Sequence, residues 1–194
     1  ENGYINSYMA YFESDKIFTN RDRHELYTIG HLTEAAIAYH KHTGKRKLLD
    51  CMEKCLDLVY NVFVKYDAAN FVTPGHEEIE LALYKLYRHT GNEKYKQMAE
   101  FFLTKRSGDF VEYNGGSYNE YSAQDDVDIY HLKDANGHSV RALYLYSGIA
   151  DMALENGDEV LYNTLEPVFE DITDGIVGAK AAGMKAVLVK DKAN

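Results

Sequence analysis

The sequence predicts an all-α protein built from helical hairpins, and three stretches carry that prediction. They are HELYTIGHLTEAAIAYHKHTGKRKLL from His24, GHEEIELALYKLYRHTGNEKY from Gly75 and GHSVRALYLYSGIADMALENGDEVLY from Gly137. Each opens on or just after a Gly or His, runs through several turns of small and apolar residues, breaks at a glycine and resumes as a second helix. The breaks fall at Gly44, Gly91 and Gly157, and His24, His76 and His138 each stand at the start of the first helix of a pair. A supersecondary unit repeated in this way stacks its neighbours, either into an open solenoid or into a closed α/α toroid. The first helices carry few charges beyond their opening turns, which favours an inner ring wrapped by an outer one.

Taken in order, residues 1–23 read as an aromatic entry (GYINSYMAYF) and a polar turn, with Asp22 as the N-cap of the helix that follows. In that helix His24, Tyr27 or Thr28, His31, Ala35, Ala38 and Tyr39 recur at spacings of three and four, and Gly44 closes it as a C-cap. The second helix, from Lys45 to about Phe63, has an apolar stripe of Leu48, Leu49, Met52, Leu56, Val59 and Phe63. Cys51 and Cys55 fall on or beside that stripe and read as core thiols. Thr73-Pro74-Gly75 leads into a third helix from His76, stopped by Gly91, and a fourth runs from Glu93 to about Lys105. The long stretch from Ser107 to Asn136 is irregular, and its Asp125, Asp126 and Asp128 read as a solvated surface run. A fifth helix spans His138 to about Glu155, and a sixth begins near Asp158. An apolar stretch near the C-terminus allows one short strand.

Composition removes several functions. With a formal net charge of −10 and scattered Lys and Arg, the chain is a poor ligand for a phosphate backbone, so nucleic acid is not an expected partner. No run approaches the ~18 apolar residues of a membrane span. No basic-then-apolar leader is visible, and a bacterial cytoplasm or periplasm is the expected compartment. Two cysteines four residues apart on a helix, without a neighbouring His or acid cluster, make a poor zinc site and a poor disulfide. The 17 tyrosines, in a chain without Trp, suit helix packing and stacking against sugar rings.

The three histidines carry the functional reading. In an α/α toroid the N-termini of inner helices converge on one end of the axis, where His24, His76 and His138 would form a polar cup. The positive helix end disfavours imidazolium. A neutral ring offers one donor and one acceptor, a match for sugar hydroxyls. The bland alternative makes each histidine a helix-capping residue, and the sharper one makes the three a metal site. A further reading uses Glu25 and Glu77 as an acid pair of a lyase or unsaturated-uronide hydrolase, although both also suit a helix N-terminus.

The blocks HELYTIGHLTEAAIAYHKHTGKRKLLD, PGHEEIELALYKLYRHTGNEKY and GHSVRALYLYSGIAD, preceded by GYINSY and FTNRDRHELY, resemble glycoside hydrolase family 127, the β-L-arabinofuranosidases, over roughly residues 2–165. The resemblance implies an (α/α)6 barrel acting on terminal β-L-arabinofuranosyl residues of plant-type glycans, with His24, His76 and His138 binding the sugar. It also implies a zinc-bound cysteine nucleophile and a glutamate acid/base, placed after the third block and a glycine-rich segment. This sequence has no such segment and no cysteine after Cys55. No catalytic residue is therefore assigned; zinc is expected of the full-length family and no cofactor of this chain. Thr28 stands where the family usually has Cys, and DDVDIYHLKDAN is more acidic than the family's stretch at that place.

Residues 1–167 are expected to form the partial barrel domain and 168–194 a tail whose origin the sequence leaves open. The tail, FEDITDGIVGAKAAGMKAVLV, resembles the last motif of haloacid-dehalogenase-type phosphatases, in which Glu170 and Asp171 would help hold magnesium. The matching Asp-x-Asp loop is missing upstream. The expectation is thus a carbohydrate-binding piece of a glycosidase barrel that self-associates through exposed barrel edges. The alternative is a non-catalytic helical-repeat module that binds a glycan or a protein.

Overall fold

The computed structural model describes residues 2–107 and 123–181, with the backbone alone for 170, 171 and 173–181. Among these residues the chain is helical, without strands. The helices are α1 (Ser7–Phe12), α2 (Glu25–Thr43), α3 (Lys47–Val59), α4 (Ile79–Thr90), α5 (Glu93–Thr104), α6 (Ser139–Asn156) and α7 (Glu159–Ala181). A turn of π-helix, Tyr60–Lys65, continues α3, and a 3-10 turn, Arg21–Arg23, precedes α2.

The pairs α2/α3, α4/α5 and α6/α7 are the three hairpins. Their first helices lie side by side, α2 on α4 and α4 on α6, and each second helix backs its own partner. This is the inner and outer layering of a partial (α/α)6 toroid. It explains why α4 is buried almost all round, through Ile79, Glu80, Leu81, Ala82, Leu83, Tyr84 and Leu86. Between two inner neighbours and an outer one, this helix meets solvent at Lys85 and in its last turn. The outer helices alternate instead: α3 buries Leu49, Met52, Cys55, Leu56 and Val59 and leaves the other side polar.

Each hairpin closes on a left-handed glycine. Gly44 (φ 69°), Gly91 (φ 71°) and Gly157 (φ 62°) donate their N–H groups to the carbonyls of His40, Tyr87 and Ala153. Such a backbone strains any residue with a Cβ. Asn92 then caps α5 by accepting from the Lys94 N–H at 3.1 Å, and Asp158 starts α7 by accepting from the Leu161 N–H at 3.0 Å.

Several local expectations are corrected. Asp22 does not cap α2: it lies exposed in the 3-10 turn, and His24 takes the N-cap position without a side-chain cap bond. The apolar stripe expected of the second helix is buried at Leu49, Met52, Leu56, Val59 and Phe63, but Leu48 is partly exposed and Cys51 is exposed, so Cys55 alone is a core thiol. Burial pushes the Cys55 thiol up to about 12. Asp125 is not a surface residue; it is fully buried against two arginines. Helix α7 runs unbroken across residues 167 and 168. The side chains of Glu170 and Asp171, and the apolar stretch expected to form a strand, lie outside the described residues.

Candidate functional site

A buried ionic network fixes the loops ahead of the three inner helices. Arg106, at the end of α5, donates to Glu77 (2.9 Å), Glu80 (2.7 Å), Asp125 (3.1 Å) and the Ala123 carbonyl (3.1 Å). Arg21, in the turn before α2, donates to Asp125 at 2.7 Å and to the Pro74 carbonyl at 2.8 Å, and Thr73 donates to Asp125 at 3.1 Å. Residues from before α2, before α4, after α5 and before α6 thus meet at one point. Gly75 lets the two loops touch, because a Cβ there would stand 2.6 Å from the Arg21 carbonyl oxygen. Burial raises the Glu77 carboxyl to about 7, with the Arg106 charge pulling the other way. Glu77 is therefore a tether, and Glu25 is another: it accepts from the Phe18 N–H at 3.0 Å and from the Tyr4 hydroxyl. The two carboxylates do not form the acid pair considered above.

In front of this network stand the three histidines. His24 is the N-cap of α2 in a left-handed conformation (φ 57°), His138 is the N-cap of α6, and His76 lies in the loop before α4. The His76 ring is central, its centroid 5.8 Å from that of His24 and 6.0 Å from that of His138. The toroid therefore brings together the three residues singled out from the sequence. It adds Tyr27, whose ring lies 4.4 Å from both His76 and His31, and Tyr144, 6.1 Å from His76 and 5.8 Å from His31.

His76 Nδ1 lies 3.0 Å from the Glu77 carbonyl oxygen, which can only accept. That places the neutral ring's proton on Nδ1 and leaves Nε2 as an acceptor. Burial lowers the His76 pKa, and the charges of Arg141, His24 and His138 add to the effect, while the bond to Glu77 opposes it. Two polar atoms of the cup, His24 Nδ1 and Arg141 Nε, are buried without a hydrogen-bond partner. A buried nitrogen left unpaired costs about 1–3 kcal/mol, so such atoms mark places where a polar ligand would fit.

The three histidines do not gather as metal ligands. Among the described residues, the group of three His, Cys, Asp or Glu donors that does is His31, Glu34 and Glu78. The cysteines do not fit the thiolate-bound zinc that the resemblance implies, since both lie on the outer helix α3 and Cys55 is buried in the core. Tyr144 and Glu78 carry no local signal in the sequence: Tyr144 is one of 17 tyrosines in the chain, and Glu78 is one of three glutamates within four residues.

Comparison with known proteins agrees with this layout. Residues 1–178 match the sequence model of the β-L-arabinofuranosidase, GH127 catalytic domain. A non-reducing end β-L-arabinofuranosidase of Bifidobacterium longum subsp. longum is 31% identical over 163 residues, covering 77% of this chain and 25% of that protein. The crystal structure of a GH127 β-L-arabinofuranosidase from Geobacillus stearothermophilus T6 superposes with a TM-score of 0.79 at 38% identity, over 89% of this chain and 29% of that one. A second GH127 β-arabinofuranosidase structure gives 0.68 at 36% identity, over 77% and 22%. The fold is thus that of a glycoside hydrolase catalytic toroid, represented by part of its helices. The chain belongs to the GH127 β-L-arabinofuranosidase catalytic-domain family. It spans about a quarter of the length of the curated relative it matches.

Proposed function

We propose that this chain forms the sugar-holding wall of a hydrolase that removes terminal β-L-arabinofuranosyl residues from glycans. The observation that carries the reading is the cup itself: His24, His76 and His138 converge from three successive inner helices, with unpaired buried nitrogens on His24 and Arg141. Neutral imidazoles present both donors and acceptors to ring hydroxyls, and the Tyr27 and Tyr144 rings supply an apolar flank for the sugar face. The nucleophile and acid/base that the family resemblance implies have no counterpart in this stretch, so no bond-breaking residue is assigned. Titration with methyl β-L-arabinofuranoside, followed through the imidazole NMR signals, tests the reading. Signals of His24, His76 and His138 should shift together while those of the exposed His42 and His131 stay fixed, and a chromogenic arabinofuranoside should not be hydrolysed. Absence of any shift, or equal shifts at His42, would sink the proposal.

A further inference from the structure

About two turns along α2 from His24, a second set of donors faces α4. His31 and Glu34 lie one turn apart on α2, and Glu78 reaches across from the start of α4. Their ligand atoms all lie within 4.8 Å of one another, with His31 Nδ1 at 3.3 Å from Glu78 Oε1 and 3.8 Å from Glu34 Oε2. The Glu78 side chain is fully buried, yet neither of its oxygens accepts a hydrogen bond from an N–H or O–H group. Its seat is built into the helix opposite. A Cβ on Gly30 would stand 1.5 Å from Glu78 Oε2, so the carboxyl group occupies the space that this glycine leaves.

A buried carboxyl facing a second carboxyl and an imidazole needs something positive between them. Lys85 supplies part of it by pairing with Glu34 from the exposed side. No described cation pairs with Glu78, whose direct neighbours are Glu34 and His31. We propose that His31, Glu34 and Glu78 form a binding site for a divalent first-row metal ion, which clamps α2 to α4. One imidazole nitrogen and two carboxylate oxygens form a mixed donor set that suits Mn²⁺, Fe²⁺ or Zn²⁺. The site uses no thiolate, and it does not depend on the sugar-binding reading. Its consequence for the molecule is positional: a metal-held His31 ring fixes the Tyr27 and Tyr144 rings packed against it.

The test uses the full chain, stripped with a chelator and titrated with Mn²⁺, a probe that avoids the exposed thiol of Cys51. Loss of the free-ion EPR signal reads the binding. A single saturable Mn²⁺ per chain is expected, weakened about tenfold or more in Glu78→Gln and in His31→Gln and unchanged in Cys51→Ser. His31 is half-exposed, so His31→Gln retains the fold even where Glu78→Gln does not, and circular dichroism checks both variants. No saturable binding, or binding that neither His31→Gln nor Glu78→Gln weakens, overturns the proposal. So does a protonated-carboxyl infrared band that Glu78→Gln removes and Mn²⁺ leaves in place, because Glu34 and Glu78 would then share a proton in the metal's stead.

Discussion

His24 combines an unfavourable backbone with an unpaired ring nitrogen. Its φ of 57° lies in the left-handed region, where Asn is tolerated far better than Ala. His24→Asn should therefore be at least as stable as the parent, and His24→Ala less stable than His24→Asn by about 1 kcal/mol, as read from urea unfolding. Both should lose affinity for the arabinofuranoside. Glu25, the next residue, gives a pH signature. Burial raises its pKa, opposed by bonds from the Tyr4 hydroxyl and the Phe18 N–H. A carboxyl raised in the folded state contributes stability that is complete below its unfolded pKa and lost as pH rises through the folded value. Glu25→Gln should thus gain on the parent as pH rises above the ordinary carboxylate range, and urea midpoints at pH 4 and pH 8 check this. A gain at the acidic end instead would reverse the assignment.

At the scale of elements, the three hairpins were legible because each combines a helical apolar period with a terminal glycine, and those signals are local. The links between hairpins were not. Arg106 follows α5 and Asp125 sits in an irregular loop, and neither position has a periodic pattern to betray it. Their pairing spans elements far apart in sequence, so Asp125 looked like part of a solvated acidic run. The network they form decides where the histidine-bearing loops lie. Removing one partner of a buried ion cluster leaves uncompensated charge and costs about 3–5 kcal/mol. Arg106→Met should lower the unfolding free energy, read from urea titration, by that order and broaden the His24, His76 and His138 signals together, which a stability loss confined to α5 would not do.

At the scale of the whole molecule, the third hairpin lies at the edge of the row of described helices. Its outward side carries Leu154, Val160 and Tyr162, exposed at 75%, 64% and 64%. Inner helix α6 also shows Val140 and Leu143 to solvent. Apolar area of this kind marks a surface that packs against something. The isolated chain should therefore self-associate as its concentration rises, and Leu154→Glu with Tyr162→Glu should return it to monomer. Sedimentation velocity measures both, and a monomer at all concentrations would show that this edge does not pair.

The sequence by itself determined the helices, their pairing into hairpins, the glycines that end them and the three histidines at the head of each pair. These follow from interactions within a few residues: the apolar period, the left-handed caps and the repeat. Tertiary structure decided which charges are buried, that Glu25 and Glu77 are tethers, that Cys51 faces water, and that Tyr144 joins the cup. It also brought Glu78 from α4 to His31 and Glu34 on α2, across a gap that Gly30 leaves open. Those outcomes depend on how helices distant in sequence pack, because burial and charge pairing are properties of neighbours in space and not of neighbours along the chain.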